Sequence, residues 1–181
     1  MGVTPGGGTE VKDSEGLTLA STANTGSAES SWDERGHSAD TGSTPGTRTV
    51  VQLFLQRLGE GDPQRVAALF AEQVDWVIAE NPSVPWIRPR STRADVAAHF
   101  AELAAGTLPE EAGSTIEAVV VEGGDAVVTG RLSGVVRATG KPFASPFALR
   151  LFVDDGLITA YRVYEDSLAV AAACADWTSC S

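Results

Sequence analysis

The chain has 181 residues, 43% of them hydrophobic, and a formal charge of −11 at pH 7. A chain of that length buries one real core and hardly two, and its acidic balance leaves no Lys/Arg stripe to displace phosphate counterions, which excludes nucleic acid as partner. Two cysteines, Cys174 and Cys180, supply neither a disulfide framework nor a C-x-x-C metal clamp; they read as reduced thiols, close enough in sequence for a local bridge.

Residues 1–47 are rich in Gly, Ser, Thr and acid and carry no apolar periodicity to offset the entropy of ordering, so they read as a disordered acidic leader. Within it Trp32 and His37 are either a partner-binding spot or isolated residues of no specific role. The leader lacks the charged and apolar regions of a secretory signal, and no later run approaches the ~20 apolar residues of a membrane span. The expectation is a cytoplasmic protein with no membrane partner.

From Val50 the pattern changes. Val50, Val51, Phe54, Leu55 and Leu58 recur at helical spacing, with Gln52, Gln56 and Arg57 on the wet face. Gly59 and Gly61 allow a reversal, Asp62 stands ready to cap a second helix, and Pro63 fits its first position, where a missing N–H costs nothing. The second helix is expected to bury Val66, Leu69 and Phe70, and a strand through Trp76 follows. The loop AENPSVPWIRPRST leads to a third helix, with Thr92 and Asp95 at capping-box spacing and Val96, Phe100 and Leu103 as its buried stripe. Four runs rich in β-branched and apolar residues come next, Ile116 to Val121, Ala126 to Ala138, Phe143 to Val153 and Leu157 to Tyr164, separated by EGGD, TGKP and DDG turns. A short helix over Ser167 to Ala175 closes the chain, and Asp166 before it reads as a helix cap ahead of any catalytic role. Helices followed by a curved sheet define an α+β domain enclosing a cavity, over residues 48–176 with a short tail at 177–181.

The series VVQLFLQRLGEGDPQRVAALFAEQVDW, RADVAAHF, TGKPF and DGLITAYRVYED resembles the nuclear transport factor 2-like superfamily, in particular its SnoaL-like, ketosteroid isomerase-like and limonene-1,2-epoxide hydrolase-like branches. The resemblance implies a cone-shaped α+β barrel: three N-terminal helices on a strongly curved, mixed but mostly antiparallel sheet, and a homodimer through the outer sheet face. It does not bring the chemistry of either well-understood branch intact. The isomerase tyrosine falls at Phe54, its base near Ile78 and its oxyanion acid at Ala148; a shift of two residues would let Glu80 stand in for the base. The hydrolase R-x-D motif becomes Arg131-Leu132-Ser133, its second aspartate becomes Val163, and its water-holding Tyr and Asn map onto Trp76 and Asn81.

Residues two apart on a strand share a face. Anchored on those family positions, the alternation sends Tyr161, Val163 and Glu165 inward, together with Ala148 and Arg150, and with Arg131 and Ser133. The expected chamber therefore holds Glu165, Arg131 and Arg150 among apolar walls that include Trp76, Trp86 and Tyr161. Glu165 then has two readings: an ion pair with an arginine, or an acid/base group. Glu80 and Asn81 are either a loop pair meeting the ligand's entering end or solvated loop residues, and His99 is either a proton shuttle or packing at the helix edge. Two histidines are too few for a metal site, and no glycine-rich phosphate loop is present, so no metal and no cofactor are expected. The functional expectation is a cofactor-independent SnoaL-like enzyme acting on an apolar, oxygenated, polyketide-like molecule by acid/base cyclisation, isomerisation or epoxide opening. The alternative is a ligand-binding or accessory protein of the same fold.

Overall fold

The computed structural model describes residues 45–175 and the two-residue strand β1 (Leu17–Thr18). The rest of the expected leader, with Trp32 and His37, and the tail with Cys180 lie outside the described residues. Helices α1 (Thr47–Glu60) and α2 (Pro63–Ala67) are joined through Gly61, which holds a left-handed φ of 72° that a side chain would strain. Asp62 accepts hydrogen bonds from the Gln64 and Arg65 amides, and Pro63 opens α2 as its spacing predicts. The second helix is shorter than the apolar pattern implies. It stops at Ala67, and Phe70 begins strand β2 (Phe70–Ile78), so Leu69 and Phe70 are buried from the turn and the strand.

Helix α3 (Arg93–Gly106) carries the expected capping box: Thr92 accepts from the Asp95 amide while the Asp95 carboxylate accepts from the Thr92 amide. Strands β3 (Gly113–Glu122), β4 (Asp125–Val135), β5 (Pro142–Asp154) and β6 (Leu157–Glu165) form an antiparallel run, and helix α4 (Ser167–Cys174) ends the described chain. The sheet order is β1-β3-β4-β5-β6-β2, with β2 parallel to β6, so the sheet is mixed and mostly antiparallel. Register shifts at Ile116/Ala118 and Phe152/Val153 bend it, because an extra residue on one strand increases the local twist.

One face of this sheet closes over α1 and α3. Phe54 sits fully buried at the centre of an aromatic group, with Phe70 at 5.9 Å, Tyr161 at 6.1 Å and Phe100 at 6.3 Å between ring centroids. A second, smaller core of Val84, Trp86, Val136, Val170 and Ala173 packs α4 and the loop before α3 against the far end of the sheet. A cavity lies between the two cores. Among the described residues no helix is long and apolar enough to cross a membrane.

Candidate active site

The cavity has a volume of about 210 Å³. Its floor is the inner face of the sheet, from Ile78 on β2, Leu132 and Gly134 on β4, Phe143 on β5, and Tyr161, Val163 and Glu165 on β6. Its roof is His99, Phe100 and Leu103 from α3, Trp86 and Ile87 from the preceding loop, and Val170 from α4. Trp86 is held there by close packing: a Cβ added at Gly106 would lie 2.7 Å from its ring, so the last residue of α3 has no room for a side chain. Asp166 caps α4 by accepting from the Ala169 amide, and Asn81 Nδ2 donates to the Ser167 carbonyl at 2.9 Å, which fixes the start of α4 and with it Val170.

Five side chains bring polar chemistry into these apolar walls: Ser133, Thr107, whose hydroxyl donates to the Leu103 carbonyl at 2.9 Å, and Glu165, Tyr161 and His99. Glu165 is half-buried and makes no ion pair or hydrogen bond with any described residue, and its carboxyl is pushed above the usual carboxylate range by burial first and by the neighbouring Asp166 charge second. Tyr161 is buried with one ring face stacked on Trp76, the centroids 4.1 Å apart and the planes 13° apart. Its phenol is held protonated, raised by burial and then by the charge of Glu165. His99 is buried, and its Nδ1 lies 3.2 Å from the Trp86 carbonyl oxygen. A carbonyl only accepts, so Nδ1 carries the hydrogen and Nε2 is left with its lone pair. Burial lowers the His99 pKa to about 4, an effect the nearby Arg90 charge reinforces and the Trp86 hydrogen bond opposes. The imidazole is therefore neutral at physiological pH.

Several sequence-predicted positions lie elsewhere. Arg131 is on the outer face of β4, its side chain 72% exposed, with its Nε 3.6 Å from Glu117. Arg150 is on the outer face of β5, 48% exposed and paired with Asp125 at 2.7 Å. Ala148 pairs in register with the exposed Tyr164 on the outer face. The physical reason is one of parity. Ala126, Val128, Gly130 and Gly134 are the buried positions of β4, and Ser145, Leu149, Leu151 and Val153 those of β5, so anchoring the alternation on Arg131 and Ala148 inverts both strands. Glu80 is exposed, and Asn81 serves the loop–helix contact above, not the cavity. Phe54 belongs to the core, and Trp76 stands behind Tyr161 instead of lining the cavity.

The placements that hold are Ile78, Trp86, His99, Ser133, Tyr161, Val163 and Glu165, all of which line the cavity, Ser133 as an exposed residue. Sequence reasoning missed Ile87, Thr107, Leu132, Phe143 and Val170. Leu132 had a readable signal, since it is the apolar residue between polar Arg131 and Ser133; Val170 had none apart from following a helix cap. Among the described residues no Lys or Arg lines the cavity, and no group of three or more His, Cys, Asp or Glu is placed to hold a metal ion.

An α+β cone with an apolar pocket between its helices and the inner face of its sheet is the architecture of the nuclear transport factor 2-like proteins. Within that class, residues 51–161 match the SnoaL-like domain, and the chain belongs to this family. Among solved structures it is similar to a nuclear transport factor 2-like protein from Burkholderia xenovorans, with 24% identity, a TM-score of 0.62 and coverage of 74% of this chain and 100% of that one. It is also similar to a protein of ketosteroid isomerase-like fold from Catenulispora acidiphila, solved with trimethylamine, with 20% identity, a TM-score of 0.58 and coverage of 71% and 93%. A proposed SnoaL-like polyketide cyclase from Jannaschia sp. CCS1 matches with 22% identity, a TM-score of 0.59 and coverage of 73% and 95%. A comparison with curated proteins gives no match.

Proposed function

We propose that this chain is a cofactor-independent SnoaL-like enzyme that moves a proton within a compact, apolar, oxygenated substrate of polyketide-like character. The observation that carries the reading is Glu165: a carboxyl group without a counter-ion, in an apolar cavity, beside a protonated phenol. A desolvated carboxylate is a stronger base than a solvated one, and a neighbouring O–H is a donor for the oxygen on which negative charge develops. The step is enolisation. The Glu165 carboxylate takes a proton from the carbon next to a ketone, the C–H electron pair moves to the carbonyl oxygen, and the Tyr161 hydroxyl donates a hydrogen bond to that oxygen. Where the enolate is conjugated to a double bond, return of the proton from Glu165 to the γ-carbon gives isomerisation; attack of the enolate carbon on a second carbonyl, with the Glu165 proton passing to the alkoxide so formed, gives cyclisation. Two-acid epoxide opening is disfavoured, because Ser133 and Val163 stand where that reaction has carboxylates and Arg131 is outside the cavity.

Size agrees with a small substrate. An apolar cavity of about 150 Å³ takes benzene, so the present volume of about 210 Å³ suits a fused bicycle. The test is exchange of the α-protons of a tetralone in heavy water, followed by proton NMR. Wild-type protein accelerates the exchange, and Glu165→Gln loses at least about a hundredfold of that acceleration, as expected for a general base. Exchange at the buffer rate with wild-type protein, while the tetralone binds, overturns the enzyme reading in favour of a ligand-binding protein.

We infer in addition that the outer sheet face seats a second copy of the chain. Val77, Phe152 and Tyr164 are exposed there, among arginines already paired with carboxylates.

A further inference from the structure

His99 is a cavity-lining group whose tautomer is fixed by the protein. Its Nδ1–H is committed to the Trp86 carbonyl, and Trp86 is itself held against Gly106 at the end of the same helix. Its ring edge meets Trp76 at 4.9 Å and Phe100 at 5.2 Å between centroids, so packing on two sides fixes the imidazole's orientation. What remains is Nε2, a lone-pair acceptor on a cavity-lining side chain, with no protein partner among the described residues. Nε2 is open to the cavity, and a ligand that fills the cavity without offering a donor leaves it unpaired, so a site built this way discriminates strongly between ligands that supply a donor and analogues that lack one.

We propose that His99 is the specificity-determining residue of this cavity, its Nε2 accepting a hydrogen bond from a hydroxyl of a neutral, compact substrate. The inference rests on reading the cavity as a substrate site and adds the donor group that the substrate must carry. A hydroxyl is preferred to an acid because no Lys or Arg lines the cavity, so a carboxylate ligand would face Glu165 uncompensated. His99 is thus a positioning residue: it orients the substrate from the α3 side while Glu165 and Tyr161 act from β6. Its depressed pKa agrees with a neutral acceptor and not with a proton shuttle at physiological pH.

The chain contains two histidines, so His37→Ala leaves His99 as its single imidazole. That protein, labelled with nitrogen-15, is titrated with tetralones bearing a hydroxyl at each aromatic position and with their methyl ethers. The expected free state at neutral pH is the neutral imidazole with its hydrogen on Nδ1. At least one hydroxytetralone binds about tenfold or more tightly than its methyl ether, and only the hydroxyl compound moves the Nε2 resonance. His99→Phe brings the two affinities together. An imidazolium or the opposite tautomer in the free protein, equal affinities for phenol and ether, or no binding of any hydroxytetralone at millimolar concentration overturns the proposal. If His99→Phe does not fold, the nitrogen resonance of the folded chain decides. Glu165→Gln separates the two readings: it abolishes α-proton exchange and keeps the hydroxyl preference. Preference without exchange in the wild type removes the acid/base reading alone, and exchange without preference removes the role of His99 alone.

Discussion

Burial has moved the His99 pKa from 6.5 to about 4, and this shift ties stability to pH. Between those two values the unfolded chain binds a proton that the folded chain refuses. The stability associated with neutral His99 is therefore complete above about pH 6.5 and is lost as pH falls towards about 4. A shift of this size corresponds to about 3 kcal/mol at its limit. Glu165 acts with the opposite sign, since its raised pKa makes the folded state bind a proton more tightly and its contribution is lost as pH rises through the folded value. Urea denaturation at neutral pH and again near pH 5 reads the balance. The expected result is a lower midpoint at the acidic pH in the wild type, a steeper fall in Glu165→Gln, where the opposing term is removed, and a flatter one in His99→Gln. A midpoint independent of pH in all three would show that His99 is solvated in the folded chain.

At the scale of elements, the start of α4 is held by three independent bonds: Asp166 Oδ1 accepts from the Ala169 amide at 3.1 Å, the Asp166 amide donates to Ser145 Oγ at 2.8 Å, and Asn81 Nδ2 donates to the Ser167 carbonyl at 2.9 Å. Asp166→Ala removes only the first. It is expected to cost about 1 kcal/mol and to speed amide exchange across α4, while α3, with its own capping box, keeps its protection. Uniform loss of protection in both helices would mean that α4 does not open independently. Caps of this kind are legible in sequence because donor and acceptor lie within three residues of each other, and Asp62, Thr92 with Asp95, and Asp166 all cap where spacing places them. Strand faces are legible only once one residue is anchored. On β6 the anchor Val163 is right, and Tyr161 and Glu165 follow it inward. On β4 and β5 an anchor borrowed from distant relatives places Arg131 and Arg150 inside, although the local pattern, polar Thr129, Arg131 and Ser133 alternating with Val128, Gly130 and Leu132, already argues for the reverse. His99 as an acceptor was beyond the sequence altogether, because its tautomer depends on a carbonyl supplied by a loop.

The whole molecule carries a formal charge of −11, so two copies repel unless they meet where charge is already neutralised. The outer sheet face meets that condition. Arg150 is paired with Asp125 and Arg162 with Asp75, and around these pairs Val77, Phe152 and Tyr164 present apolar surface on neighbouring strands, with Phe152 in register with Ala160 and Tyr164 with Ala148. A two-fold contact brings each of these residues near the same patch on the partner, so a charge added at Phe152 or Tyr164 enters the interface twice. Phe152→Glu combined with Tyr164→Glu is accordingly expected to convert a dimer into a monomer in sedimentation velocity. The same variant keeps its α-proton exchange, because both side chains face away from the cavity. In the proposed dimer the ion pairs lie within each copy and the attraction between copies comes from apolar area, so raised salt is expected to leave the association intact. A wild-type chain that sediments as a monomer at tens of micromolar would overturn the assignment, and dissociation by salt would instead indicate ion pairs between copies.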